Sequence, residues 1–336
     1  MSDIKIAKDM KIVDVMVAQA KGERLDSNVI ENANNVIREL AQDMSPNNRY
    51  QIAQLVGFTV NELMKPKTNW LDQVADVKRV AINERPQFTV RQDGVKAYVQ
   101  AKGATTARST VADKAITLDT LAVSARPYVN LTELHANPGK MAELITEATT
   151  QMELAEYGHI QKVLNAAARN WNAPYYGTGS GIVKATLDPM IRHHVRISGG
   201  APATIIGDVD MTSKLAEQTG FTHNGTMQQF SDSVILEQNN AGMIGTYLGA
   251  KVVNLINPPV NGTDETAFDC NKLFILPGGI DAGMRPLKVV FEGDIQSIDA
   301  THIDDRTFEI RLDQFFNAGV VVGNRPYMSV YEDSSI

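Results

Sequence analysis

The residues most able to carry out chemistry stand in patterns that do not form a reactive site. The run Gly177–Gly181 (GTGSG) lacks the G-x-G-x-x-G spacing and the Lys-Ser/Thr ending of phosphate-binding loops. A nucleophile elbow around Ser180 is excluded as well, because Thr178 stands where that motif has its first glycine. His193 and His194 are adjacent, so on a helix they diverge by about 100° and cannot easily face one metal ion. We interpret the glycine run as a connector and predict no metal site.

The acidic residues and the cysteine give no stronger signal. Asp208 and Asp210 have a D-x-D spacing, but a helix cap explains them better than a metal-nucleotide site. Cys270 is the single cysteine, which excludes an intrachain disulfide framework and a cysteine-rich metal site. The sequence therefore predicts no catalytic, cofactor-binding or metal-binding residues, and we expect a protein that is not an enzyme.

The amino-acid composition is that of an ordinary globular protein. The 336 residues are 43% hydrophobic and 21% charged, which allows one large or two medium domains. A net charge of −7 argues against a surface that binds nucleic acid as a whole. No apolar run reaches the ~18 residues of a membrane span, and the mixed charged and apolar start predicts no signal peptide.

One long helix is predicted from Asn137 to Asn170. Asn137-Pro138 is a start signal, and the helix would be roughly 45 Å long. Apolar residues recur at spacings of three and four, on one face of a helix: Met141, Leu144, Ile145, Ala148, Met152, Ala155, Ile160, Val163, Leu164 and Ala167. The opposite face is predicted to be acidic, with Glu143, Glu147, Glu153 and Glu156.

A β-rich excursion precedes this helix, from Glu84 to about Thr132, and we name it the arm. Asp93-Gly94 is a turn or bulge signal, and residues 101–112 are too small and polar to bury much surface. Between Glu84 and Lys114 six basic residues outnumber three acidic ones, for a net charge of +3. The tip lacks the interleaved aromatic residues that stack bases. We therefore favour an acidic protein surface as its partner, with nucleic-acid binding as the alternative.

An acidic segment near the end of the chain is the predicted partner of the arm. Residues 294–313 contain six acidic and two basic residues, for a net charge of −4. The arm of one subunit would therefore contact this segment in another subunit. The candidate contact residues are Arg91, Lys96, Lys102, Arg108 and Lys114 in the arm, and Asp299, Asp304, Asp305 and Glu309 in the segment.

The rest of the chain reads as a helical start and a compact α/β unit. Residues 1–83 are mainly helical, and residues 180–292 alternate helices with short apolar strands. Lys272–Leu276 (KLFIL) and Leu287–Phe291 (LKVVF) are two of those strands.

In the order of its segments and in their residue patterns, the chain resembles the major capsid proteins of tailed phages with the Hong Kong 97-type fold. The resemblance rests on AITLDTLAVSARPYVNLTEL, on the long helix after it, and on the ending DRTFEIRLDQFFNAGVVVGNRPYMSV. It implies an α+β fold with a helical N-terminal arm at 1–83 and an extended β-hairpin loop at 84–115. A peripheral domain with a spine helix would follow at 116–179, and an axial domain at 180–292. Residues 293–336 would return to the peripheral domain and end in a strand.

The resemblance also implies a function. The chain would self-assemble, as pentamers and hexamers, into the icosahedral head shell around phage double-stranded DNA, with the loop lying over a neighbour's peripheral domain. It would act in the virion after assembly in the host bacterial cytoplasm, with portal and scaffolding proteins as partners and no membrane. Because Met1 is present and only 83 residues precede the loop, the resemblance implies a separate scaffolding protein or none. Two alternatives stay open: an encapsulin-like nanocompartment shell, and an α/β small-molecule enzyme that uses residues 180–292.

Overall fold

The fold is described from a computed structural model. It describes residues 5–7, 10–42, 45–68, 70–94, 108–168, 171–217, 221–223, 226–228, 245–255, 268–278, 280–302, 307–321 and 328–335. It also describes the single positions 97, 99, 102, 105, 257, 259, 265 and 266. The predicted Lys96, Asp304, Asp305 and the Arg-Pro pair at 325–326 lie outside the described residues.

Helices and strands follow each other in a mixed order. The helices are α1 Ile12–Ala20, α2 Ser27–Gln42, α3 Pro46–Lys67, α4 Leu71–Val74, α5 Leu131–Ala136, α6 Lys140–Ala168, α7 Lys184–Ile197 and α8 Val209–Glu217. The first strands are β1 Lys5–Ala7, β2 Met10–Lys11, β3 Ala75–Val80, β4 Gln87–Asp93, β5 Ala112–Thr117, β6 Leu121–Ala125, β7 Tyr128–Asn130 and β8 Tyr176–Gly179. The later strands are β9 Ala203–Asp208, β10 Phe221–His223, β11 Thr226–Gln228, β12 Thr246–Tyr247, β13 Ala250–Leu255, β14 Lys272–Pro277, β15 Leu287–His302, β16 Thr307–Val320 and β17 Ser329–Asp333.

The predicted spine helix is present as α6, which has 29 residues. It begins slightly later than expected, because the short helix α5 comes first, capped by the Asn130 side chain, which accepts from Thr132 N at 2.9 Å. Asn137 and Pro138 form the turn between the two helices, and the Asn137 carbonyl accepts from Lys140 N at 3.1 Å. Glu156 is not on the outer face as predicted, since it is 1% exposed.

A five-stranded sheet packs against one side of α6. Its order is β3-β15-β16-β6, and β7 pairs with the distal part of β16. The register between β15 and β16 shifts between Glu292 and Gln296, so residues 293–295 form a bulge. The face of this sheet towards α3 and α6 carries Phe308, Ile310, Leu312 and Phe316, all buried.

The N-terminal helices belong to this same unit. Apolar residues of α1, α2 and α3 share one core with Met141, Ile145 and Met152 of the spine and with the end of the β15–β16 hairpin. Ser45 caps α3, its side chain accepting from Asn48 N at 3.4 Å. Residues 12–67 therefore pack on their own subunit, where the sequence left open whether they cover their own subunit or a neighbour.

A six-stranded sheet forms the second unit, in the order β12-β13-β9-β14-β17-β8. Two strands are placed differently from the sequence analysis. Leu287–Phe291 belongs to β15 and lies in the five-stranded sheet, whereas Ser329–Asp333 lies inside the six-stranded sheet, between β14 and β8. A second core joins the two sheets and the end of the spine, through Leu164, Phe274, Leu287 and Val330. Within the described residues, no helix is both long and apolar enough to cross a membrane.

Candidate assembly surfaces

The first part of the predicted arm, from Gln87 to Thr117, is an antiparallel hairpin, but residues 121–130, which were also predicted to belong to the arm, pair with β16 in the five-stranded sheet and Val129 is buried in its core. From here on, the arm means the hairpin and its connections, residues 81–120. β4 and β5 pair with each other from Gln87 opposite Thr117 to Asp93 opposite Ala112, and Arg91 lies opposite Asp113. Lys102, Arg108 and Lys114 are exposed. The arm therefore presents separate cations along a two-stranded ribbon, and a ribbon of two strands is marginally stable by itself.

The base of the arm is anchored more firmly than its sequence suggested. Phe88 is fully buried and Val90 is 7% exposed. The Nζ atoms of Lys78 and Lys288 lie 5.1 and 5.9 Å from the centroid of the Phe88 ring, which is cation–π range. Lys78 also donates to the Gln87 carbonyl oxygen. The apolar pattern of β4 predicted a strand, but nothing local to it indicated that one phenylalanine would hold the ribbon to the sheet.

A buried ion pair lies beneath this phenylalanine. Lys288 is 1% exposed, and its Nζ donates to Asp76 Oδ2 at 2.9 Å and to the Gly283 carbonyl at 3.0 Å. Burial lowers the pKa of Lys288, while the hydrogen bond to Asp76 opposes that shift. β3 and β15 therefore hold the base of the arm through charge as well as apolar contact.

The predicted acidic segment does not form one face. Cross-strand pairs point to the same side of a sheet, and neighbours along a strand alternate. Ile298 pairs with Arg311 and Tyr128 with Glu309, so these four side chains share the outer face of the sheet, away from α6. Asp299 pairs with Ile310 and points inwards, where its Oδ2 lies 4.0 Å from Arg49 Nε on α3. The structure therefore separates Asp299 from Glu309.

We name Tyr128, Ile298, Glu309 and Arg311 the outer patch. Tyr128 is 66% exposed and Ile298 is 56% exposed. Glu309 Oε2 accepts from Arg126 Nε at 2.7 Å, so its charge is partly compensated within the subunit. Neither apolar member was among the predicted contact residues, although the alternation of β15 places Ile298 on the face opposite Asp299. The patch combines apolar area with charge, as subunit interfaces do.

His194, Asp208 and the glycine run at 177–181 have structural roles. His194 is fully buried, its Nε2 is 2.7 Å from Ser329 Oγ, and burial lowers its pKa to about 4. Asp208 Oδ1 accepts from Asp210 N at 2.9 Å, as a cap does. Gly181 N donates to Asp333 Oδ1 at 2.8 Å, which joins the glycine run to β17. No group of three His, Cys, Asp or Glu residues within the described ranges could hold a metal ion.

Comparison with known proteins agrees with this architecture. The family model of the SPbeta prophage-derived capsid protein YonB matches residues 1–331. The capsid of a native GTA particle is 12% identical with a TM-score of 0.52, covering 78% of this chain and 89% of that chain. No curated protein matches the sequence.

Two further solved structures are similar to the chain. The mature capsid of bacteriophage PhiM1 is 10% identical with a TM-score of 0.49, covering 78% of this chain and 86% of that chain. The virus-like particle from Pyrococcus furiosus is 13% identical with a TM-score of 0.47, covering 83% of this chain and 98% of that chain.

The likeness to the GTA particle capsid shows the Hong Kong 97-type capsid fold that the sequence predicted. The family match extends over nearly the whole sequence and concerns structural proteins of the virion rather than enzymes. The chain therefore belongs to the family of the SPbeta prophage-derived capsid protein YonB.

Proposed function

We propose that this capsid protein is the major subunit of a tailed-phage head, which self-assembles as pentamers and hexamers into an icosahedral shell around double-stranded DNA. In this proposal the five-stranded sheet and the spine form the peripheral domain, and the six-stranded sheet forms the axial domain. Assembly would take place in the bacterial cytoplasm, with a portal protein and a separate scaffolding protein as partners.

The observation that carries the proposal is the shape of the arm. It is a basic ribbon, anchored at its base by Phe88 and exposed at Lys102, Arg108 and Lys114. Such a ribbon has cations to pair and little core of its own. The outer patch supplies exposed apolar area at Tyr128 and Ile298 and one carboxylate, Glu309, which stands beside the cations of Arg126 and Arg311. We propose that the arm of one subunit lies across the outer patch of its neighbour, with the sequence-predicted acidic residues Asp304 and Asp305 as further partners of its cations.

Charge reversal in the arm tests this contact. The variant K96E/K102E/R108E is expected to fold with an unchanged melting temperature, because the described residues Lys102 and Arg108 are exposed. Shell formation, followed by electron microscopy and sedimentation, should fall at least about tenfold, since like charges across an interface cost several kcal/mol. Wild-type assembly should also weaken as salt rises, because exposed charges are screened.

A matched control separates the arm from net charge. The variant K21E/R24E/K162E changes the same number of charges at exposed positions outside the arm, and it should assemble normally. Normal shells from the arm variant would contradict the docking contact. Subunits that never form shells under any condition would contradict the capsid function itself. Nuclease-resistant DNA inside shells produced during phage growth would separate a phage head from a nanocompartment.

A further inference from the structure

Both connections of the arm to the subunit meet at one carboxylate, that of Glu292. We name residues 81–86, before β4, and residues 118–120, after β5, the two legs of the arm. Glu292 Oε1 accepts from the backbone N–H of Asn83 in the first leg, at 2.5 Å. Glu292 Oε2 accepts from Thr120 Oγ1 in the second leg, also at 2.5 Å. The two oxygens of one side chain thus join the beginning and the end of the arm.

Glu292 is itself held at a defined place in the sheet. It is the last residue of β15 in regular register before the bulge at 293–295. Gly293 follows with φ +67°, and a Cβ atom there would lie 2.6 Å from Ile82 Cγ1, so the first leg packs directly on the backbone of the bulge. Asp294 accepts from Asn61 Nδ2 of α3 at 3.2 Å. The bulge therefore connects the arm to the body of the subunit.

The first leg contains a turn, in which Glu84 N donates to the Ala81 carbonyl at 3.1 Å. Asn83 has φ +67°, a left-handed conformation in which asparagine is tolerated and which reverses the chain direction. Phe88 is buried at the base of the arm and Leu118 lies over Gly319, and these apolar contacts are non-directional. Lys78 Nζ donates to the Gln87 carbonyl at the start of β4, and Asn317 Nδ2 donates to the Asp119 carbonyl in the second leg. Each of these two bonds holds one side of the arm base separately. Hydrogen bonds are directional, and Glu292 supplies one to each leg.

We propose that Glu292 is a positioning residue for assembly: by holding Asn83 and Thr120 together it fixes the angle at which the arm projects towards the neighbouring subunit. The inference rests on the proposed role of the arm in assembly, and it identifies Glu292 as the residue that sets the direction of the arm. The pKa of Glu292 is lowered by its hydrogen bonds from Thr120 and Asn83, so the group is ionised at neutral pH and both bonds are charge-assisted.

The direct test is a distance measurement in unassembled subunits. Paired spin labels are placed at T105C in the arm and T146C on the spine, both exposed positions, in a C270S background. E292A should widen the distance distribution about twofold or shift its maximum, because the contacts that remain hold the two legs separately and no longer join them. E292Q should stay close to wild type, since an amide can still accept from Asn83 and donate to Thr120. T120V should give an intermediate width, because it releases one leg.

One control variant and two possible outcomes decide the test. E62A, which removes an exposed carboxylate paired with Lys65 on α3, should leave the distances unchanged. An E292A distribution that superimposes on wild type would overturn the positioning role, whatever happens to assembly. A wide E292A distribution together with normal shells would show that Glu292 sets the direction of the arm in free subunits but that assembly does not depend on it, which would overturn its role in assembly. The docking contact is tested by K96E/K102E/R108E, so the two proposals fail separately.

Discussion

Among single residues, Glu156 is the one whose environment contradicts its type. It is 1% exposed on the spine helix, and neither carboxylate oxygen has a hydrogen-bond partner among the residues that the structure describes. Burial raises the pKa of Glu156 to about 8, and the nearby carboxylate of Glu153 adds to the shift. A buried carboxyl without partners is far less costly when protonated, so the folded subunit keeps this proton at neutral pH.

Glu156 should make the stability of the subunit depend on pH. Below about pH 4.5 the group is protonated in both states, and between 4.5 and about 8 only the unfolded chain releases the proton. The free energy of unfolding should therefore fall across this window, on the order of 3 kcal/mol, and level off above it. Urea unfolding of unassembled subunits at pH 5 and pH 8.5 measures this fall.

E156Q removes the ionisable group and should abolish most of the difference between the two pH values. E143Q changes an exposed glutamate of the same helix and should behave as wild type. An equal fall in E156Q and wild type would show that other groups set the pH dependence.

The position of Glu156 was available from the sequence, since it is four residues from both Met152 and Ile160 on the apolar face. Because it is charged, we instead predicted that it lies on the outer face of the helix with Glu143 and Glu147. Glutamate side chains are mostly exposed in proteins. At position 156, however, the spacing of apolar residues along the helix predicts the burial correctly.

At the level of elements, local patterns were predictable and distant pairings were not. The spine and the hairpin of the arm are encoded by spacing within a single stretch, and the spine appears close to its predicted bounds, whereas the arm ends earlier than predicted because β6 and β7 pair with β16. The strand LKVVF pairs with β3, which lies more than 200 residues earlier, and β17 pairs with both β14 and β8. An apolar run predicts a buried strand but not its neighbours. The same limit applies to Asp299 and Glu309. Both are acidic, so we predicted that they lie on one surface, but they lie on opposite faces of the five-stranded sheet.

The contact between α3 and β15 depends on one glycine. A Cβ atom on Gly57 would lie 2.9 Å from Ser297 Oγ and 3.1 Å from Ser297 Cβ. G57V should therefore push the helix from the sheet and cost about 2–3 kcal/mol of unfolding free energy. The double variant G57V/S297G should recover part of this loss. A166V, at an exposed position of α6, carries the helix cost of a β-branched residue alone, and a loss as large as that of G57V would refute the steric explanation.

In the molecule as a whole, folding and assembly should be separable. Residues 94 and 108–117 of the arm lie outside the three main cores, whereas the anchor at Phe88 is buried. Replacing residues 94–111 by a short glycine linker should leave the melting temperature within about 2 °C of wild type, because little apolar surface is lost. Shell formation should be lost.

Calorimetry and electron microscopy of the same preparation check both expectations. A control that shortens the turn at Glu23–Asp26, which joins α1 and α2, should lower the melting temperature. Intact shells from the arm deletion would remove the arm from the assembly mechanism.

The place of β17 inside the six-stranded sheet has a consequence for how the subunit is made. A ribosome releases β8 and β14 well before β17, and the parallel partner of Tyr176 is Val330. At typical translation rates of about 5–20 residues per second, the gap between them lasts roughly 10–30 s. Throughout that interval β8 lacks its partner, and β14, once it is made, can pair with β9 but not yet with β17. A nascent chain thus lacks a complete six-stranded sheet until β17 is released, and we expect it not to assemble while it is still on the ribosome.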